Sequence, residues 1–115
     1  MSQTPMPLPG IGVDQLATLA IEHWRLQRAV GPAATPPARH ALRKIAEVLK
    51  SLEVEARSLD NLPYDSGMSA QVIDRFPDDG PGAGGMEVVA ETLSPLVLLR
   101  GQVIKSAEVV VRRAS

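Results

Sequence analysis

The chain contains no cysteine. That excludes disulfides, thiolate nucleophiles and Cys-ligated zinc, and it fits a reducing compartment, so the cytoplasm is the expected location. Aromatic residues are scarce too, with Trp24, Tyr64 and Phe76 the single examples of their types. Single-stranded nucleic acid is gripped by stacking bases on such rings, so no nucleic-acid partner is expected. The core must then be built from Leu, Val, Ile and Ala. No run approaches the roughly 18 apolar residues of a membrane span, and no membrane association is expected. The opening "MSQTPMPLPG" has neither the basic start nor the apolar block of a signal peptide. Charge of one sign is also missing: 12 basic residues face 13 acidic ones, for a net charge of −1. The chain as a whole therefore has no electrostatic pull on polyanions, and any charge-based recognition is local.

Catalytic equipment is equally thin. His23 and His40 are the only histidines, and no nearby acidic ladder would complete a metal site. His23 reads as a packed or interfacial histidine with a hydrogen bond, and His40 as a solvated first-turn residue. Glu87 and Glu91 on one strand would share a face roughly 13 Å apart, too far for joint acid–base work. The serines lack a nucleophile-elbow setting, and "GPGAGG" lacks the lysine of a phosphate loop and the strand-to-helix setting of a dinucleotide turn. Neither an enzyme nor a bound cofactor or metal is expected, because no acid, base, nucleophile and oxyanion donor can be assembled.

What is present is periodic. The length of 115 residues allows one compact domain or two small modules sharing a limited core. Residues 1–12 hold three prolines and two glycines and no apolar period, and read as a disordered lead-in. From Val13 to Val30, Leu16, Leu19, Leu26 and Val30 recur at three- and four-residue steps, with Ala17, Ala20, Ile21 and Trp24 widening the stripe. This predicts an amphipathic helix with His23 at a seam position. "GPAATPP", Gly31 to Pro37, combines a glycine stop with prolines suited to the first turn of a second helix.

That second helix is predicted from about Pro37 to Leu59, where Leu42, Ile45, Leu49, Leu52, Ala56 and Leu59 follow an a/d seam. Its basic residues Arg39, Arg43, Lys44 and Lys50 read as a solvated face, with Glu47 three residues from both Lys44 and Lys50. A two-helix hairpin cannot cover so much apolar surface. The expected solution is a homodimer in which two hairpins form a four-helix bundle, with Leu16, Leu19, His23, Leu26, Leu42, Ile45, Leu49 and Leu52 at the interface.

After "DNLPYDSG" the period changes. "SAQVIDRF", "MEVVAET", "PLVLL", "QVIK" and "AEVVVRR" are short runs rich in β-branched residues. Pro77 to Gly85 reads as a flexible connection, and Arg100-Gly101 as a hairpin tip. The expected class is α+β: a helical hairpin over residues 13–60, then a small β-domain over 61–115.

The order of these motifs carries a resemblance. "DDGPGAGG" (Asp78 to Gly85), "VVAETLSP" (Val88 to Pro95) and "LRGQVIKSAEVVV" (Leu99 to Val111), preceded by "LPYDSGMSAQVID" (Leu62 to Asp74), resemble the β-domain and its lead-in segment in the GrpE family. Members of that family are nucleotide exchange factors of DnaK-type chaperones. The resemblance spans roughly residues 60 to 113. It implies a dimer built on helices with a β-domain on each chain, in a short form lacking the family's long N-terminal stalk. It also implies that the β-domain faces a DnaK-type chaperone through Gly101, Lys105 and Val111, with Arg100 and Gln102 beside them. Gln102 stands where the family commonly carries arginine, and Lys105 keeps the charge of an arginine position but not its forked geometry. The alternative from another class is a non-catalytic dimeric adaptor that displays the β module to some other partner. A biotinyl- or lipoyl-like carrier fits less well, because Lys105 lacks the flanking pattern of a modified hairpin lysine.

Overall fold

Gly12 begins the first helix by satisfying its own backbone locally: its N–H donates to the Gln15 side chain at 2.8 Å. The computed structural model describes residues 12–76 and 86–113. The expected lead-in, apart from Gly12, and the expected flexible connection from Pro77 to Gly85 lie outside the described residues. Helix α1 runs Val13–Val30 and is stopped by Gly31, whose φ of +44° suits a residue without a Cβ. A single 3-10 turn, Gly31–Ala33, leads to α2, Pro36–Ser51. Thr35 caps α2 by accepting from the Ala38 N–H at 3.3 Å, and two prolines occupy positions whose N–H groups have no helical partner.

The helix expected to reach Leu59 ends eight residues earlier. Glu53 takes a left-handed φ of +62°, and Val54–Arg57 form strand β1. The reason is visible in "VEAR": its apolar and charged residues alternate with period two, and every one pairs with the β4 strand. Ala56 and Leu59 continue a seam spacing by coincidence. Ala56 packs beneath the helices from a strand, and Leu59 belongs to a different core.

The remaining strands are β2 (Ala70–Phe76), β3 (Glu87–Ser94), β4 (Leu96–Leu99), β5 (Gln102–Lys105) and β6 (Ala107–Arg113), completing an α+β order. They form two three-stranded sheets, β1-β4-β5 and β2-β6-β3. In the first, all pairs are antiparallel; in the second, β2 runs parallel to the central β6 and β3 runs antiparallel to it. The chain crosses from the second sheet to the first at Pro95, which is fully buried and cannot donate to a ladder, and crosses back at Ser106.

Each sheet has its own core. Ala17, Ala20 and Ile21 of α1 and Leu49 of α2 pack on Val54 and Val97 of β1-β4-β5, hereafter the helix-backed sheet. Small residues on α1 let the helix lie close to the strands. In β2-β6-β3, hereafter the valine sheet, Val89, Val109 and Val111 are fully buried under Leu59, with Tyr64 and Met68 of the connecting loop packed against them. That loop also covers the outer edge of β3, through Asn61 N–H to Val89 C=O and Tyr64 N–H to Glu87 C=O, each at 2.8–2.9 Å.

Candidate partner-binding surface

The β4–β5 connection is a two-residue turn with φ of +52° at Arg100 and +80° at Gly101, the positive pair that matches the twist of a hairpin. An arginine in the left-handed region is strained, so something must hold it. Glu53, itself left-handed, does so twice. Its carbonyl accepts from the Arg100 N–H at 2.9 Å, and its carboxylate accepts from Arg100 Nε at 3.1 Å. The tip is thereby fastened to the corner where α2 becomes β1. The ion pair itself is well exposed, at 76% for Arg100 and 61% for Glu53, so it orients more than it stabilises.

Beyond the tip, β5 is an edge strand. Val103 pairs with Leu98, but Lys105 pairs with Val97, so one extra residue at Ile104 breaks the alternation. Without that bulge Lys105 would share the face of Val103. With it, Lys105 takes the register of Val97, on the side toward the helices, while Ile104 packs into the helix-backed core. Gln102, Val103 and Lys105 are all exposed, and they straddle the edge of the sheet. Lys105 has no ion-pair partner among the described residues. The arrangement can bind a partner edge-on, with an apolar Val103 on one side and a free ammonium on the other.

Val111, expected to face a partner, does not. It is fully buried in the core of the valine sheet, because the alternation of β6 turns Ala107, Val109 and Val111 inward together. Sequence reasoning also missed Val103. Its signal was an apolar residue beside two polar ones on a strand with only one neighbour.

The helical positions divide in the same way. Leu42 and Leu49 are buried within the chain, and half-buried Leu16 packs on the helix-backed core. These three are therefore consumed by the chain itself. His23 donates from Nε2 to the Leu42 carbonyl at 2.9 Å, which ties α1 to α2 as a packed histidine would. Leu19, Leu26, Ile45 and Leu52 remain outside, and Val48 joins them at 54% exposed. Lys44 pairs with Glu47 at 3.6 Å on the solvated face of α2.

Glu87 and Glu91 do not share a face. A bulge after Val89 sets Glu91 opposite Val110, while Glu87 turns the other way and pairs with Arg75 at 3.1 Å. Among the described residues no group of three His, Asp or Glu side chains is arranged to hold a metal ion, and no helix is long and apolar enough to cross a membrane. No protein-family model matches the chain, and no curated protein matches it.

Proposed function

We propose that the chain is a GrpE-like co-chaperone that promotes nucleotide exchange on a DnaK-type chaperone. The observation that carries this reading is the motif order in residues 60 to 113, joined to an exposed, anchored hairpin whose edge strand bears Lys105. Such a function requires binding and no chemistry. A factor that prefers the open nucleotide cleft must weaken nucleotide binding by the same factor by which nucleotide weakens its own binding. The contact surface in this reading is Arg100, Gly101, Gln102, Val103 and Lys105, and the protein acts in the cytoplasm.

The exposed Leu19 and Leu26 on α1, Ile45 and Val48 on α2, and Leu52 just past its end support the second part of the proposal, a homodimer through the helices. Covering a fully exposed aliphatic side chain is worth about 1.5–3 kcal/mol, and the five on one hairpin, each about a third to a half exposed, would gain roughly half of that or less apiece. Four helices from two copies bury them on one another. The same residues support the second reading, a dimeric adaptor whose β module meets some other partner.

The deciding experiment loads a DnaK-type chaperone with fluorescent nucleotide and adds the purified protein. Release should accelerate with concentration, and Lys105→Glu should blunt the acceleration at least tenfold while leaving the circular dichroism unchanged. Unaltered release across a wide concentration range rejects the exchange function and leaves the adaptor. Light scattering tests the dimer separately: Leu26→Lys with Ile45→Lys should halve the mass.

A further inference from the structure

The two cores of this chain share no residue. Among the described strands, β4 alone contributes to both, Val97 to the helix-backed core and Leu96 to the valine core. Elsewhere the last turns of α1 stand off from β3. A crevice of about 290 Å3 separates Trp24, Arg25, Arg28 and Ala29 on the helix from Glu91, Thr92 and Leu93 on the strand.

What crosses that crevice is polar. One oxygen of the Asp60 carboxylate accepts from the Thr92 N–H at 2.7 Å, and the other accepts from Arg28 Nη1 at 3.4 Å. The Arg28 guanidinium is oriented by stacking over the Trp24 ring at 4.4 Å. Thr92 is also fixed, fully enclosed, with its hydroxyl accepting from the Leu59 N–H at 3.0 Å. Asp60 thus bridges the exposed Arg28 of α1 and the enclosed Thr92 of β3.

We propose that Asp60 is a latch: by holding Arg28 and the Thr92 N–H together, it fixes the angle between the helical hairpin and the valine sheet. Apolar contact at β4 is non-directional and permits rocking, whereas the Arg28–Asp60 pair spans the crevice with a direction that the Asp60–Thr92 bond anchors on the strand side. Opening the latch leaves both cores folded and lets them rock about the connections that join them, at Pro95, at Ser106 and between Arg57 and Leu59. The latch does not depend on the chaperone reading.

The absence of native cysteine makes the test direct. Thr18→Cys on α1 and Gln71→Cys on β2, both exposed, take a pair of spin labels, and the distance distribution is measured by pulsed dipolar resonance with excess unlabelled chain present. The otherwise native chain should give one narrow distance. Arg28→Ala leaves Thr92 its acceptor and removes the helix-side contact together with the stack on Trp24, and it should broaden the distribution at least twofold with unchanged circular dichroism. Arg28→Lys, which keeps the charge, should recover part of the sharpness. A width in Arg28→Ala equal to that of the native latch overturns the proposal, whatever Asp60→Ala does to folding.

Discussion

The helix-backed sheet and the valine sheet each have three strands with the central one, β4 or β6, enclosed on both faces, yet they draw on different material. The valine sheet closes over itself with a loop, and its central β6 inserts Ala107, Val109 and Val111 into a core that no helix enters. The helix-backed sheet has short strands of four residues each and obtains its cover from α1 and α2. Its edge β5 and the outer stripes of its helices stay exposed. The self-contained half should therefore govern stability, and the half that borrows its cover should govern association.

The sharpest way to break this contrast is a charge in the valine core. Val111→Asp should cost at least about 4 kcal/mol, because an unpaired carboxylate would sit in a fully enclosed site. That is a large share of the stability of a small domain. Lys105→Asp, on the other sheet and exposed, should shift the urea midpoint by no more than about 0.5 kcal/mol in equivalent stability. Equal losses would mean that the two positions differ less than their burial says.

The helix-backed core should respond to volume instead. Ala20 is almost wholly buried where α1 lies against the strands, so Ala20→Leu should push the helix away at a cost of about 1–3 kcal/mol. On the proposed dimer, light scattering of Ala20→Leu should change as well, because a displaced α1 moves Leu26 relative to Ile45.

These two regions were also legible to different degrees. The five runs later observed as β2 to β6 could be read because β-branched residues and turn chemistry mark them locally. β1 could not be read while the seam spacing was extended across it, since apolar positions 52, 56 and 59 satisfy a helical step as well as "VEAR" satisfies alternation. The left-handed Glu53 decides between the two, and nothing in a glutamate announces a positive φ. Bulges were hidden for a related reason. Each adds one residue without changing composition, and that one residue moved Lys105 and Glu91 to the opposite faces of their strands. Val111 was misassigned because a resemblance marks a position, whereas burial follows from pairing. The hairpin tip at Arg100-Gly101 was readable because two-residue turns demand a residue such as glycine.

At that tip, Gly101→Ala should cost about 1–2 kcal/mol, since φ of +80° brings a Cβ into conflict with its own backbone although the space around it is open. Arg100→Gly should be close to neutral. It relieves a left-handed arginine but gives up the exposed pair with Glu53. If Arg100→Gly instead loosens β5, measured as faster amide exchange at Val103 and Ile104, the Glu53 fastening is what keeps the edge strand in place.

A modest, pH-dependent effect is expected at the seam between the two halves. Burial alone would raise the Asp60 carboxyl, but hydrogen bonds from Thr92 together with the Arg28 guanidinium outweigh it and hold the group below the usual carboxylate range. Arg25 and Glu91 line the same crevice, and Arg25 is engaged with Glu22 at 2.7 Å. A depressed native pKa means that the unfolded chain takes up the proton first. The stabilisation is therefore complete above the ordinary aspartate value near 3.9, and it fades as pH falls through that value and then through the lower native one. Asp60→Asn keeps an oxygen for the Thr92 N–H and loses the charge facing Arg28, so at pH 7 it should be less stable by about 1 kcal/mol or less. Urea midpoints measured from pH 7 to pH 2 should bring the two proteins together at the acid end. A gap that stays constant over that range would assign the loss to packing around the amide and not to the carboxylate.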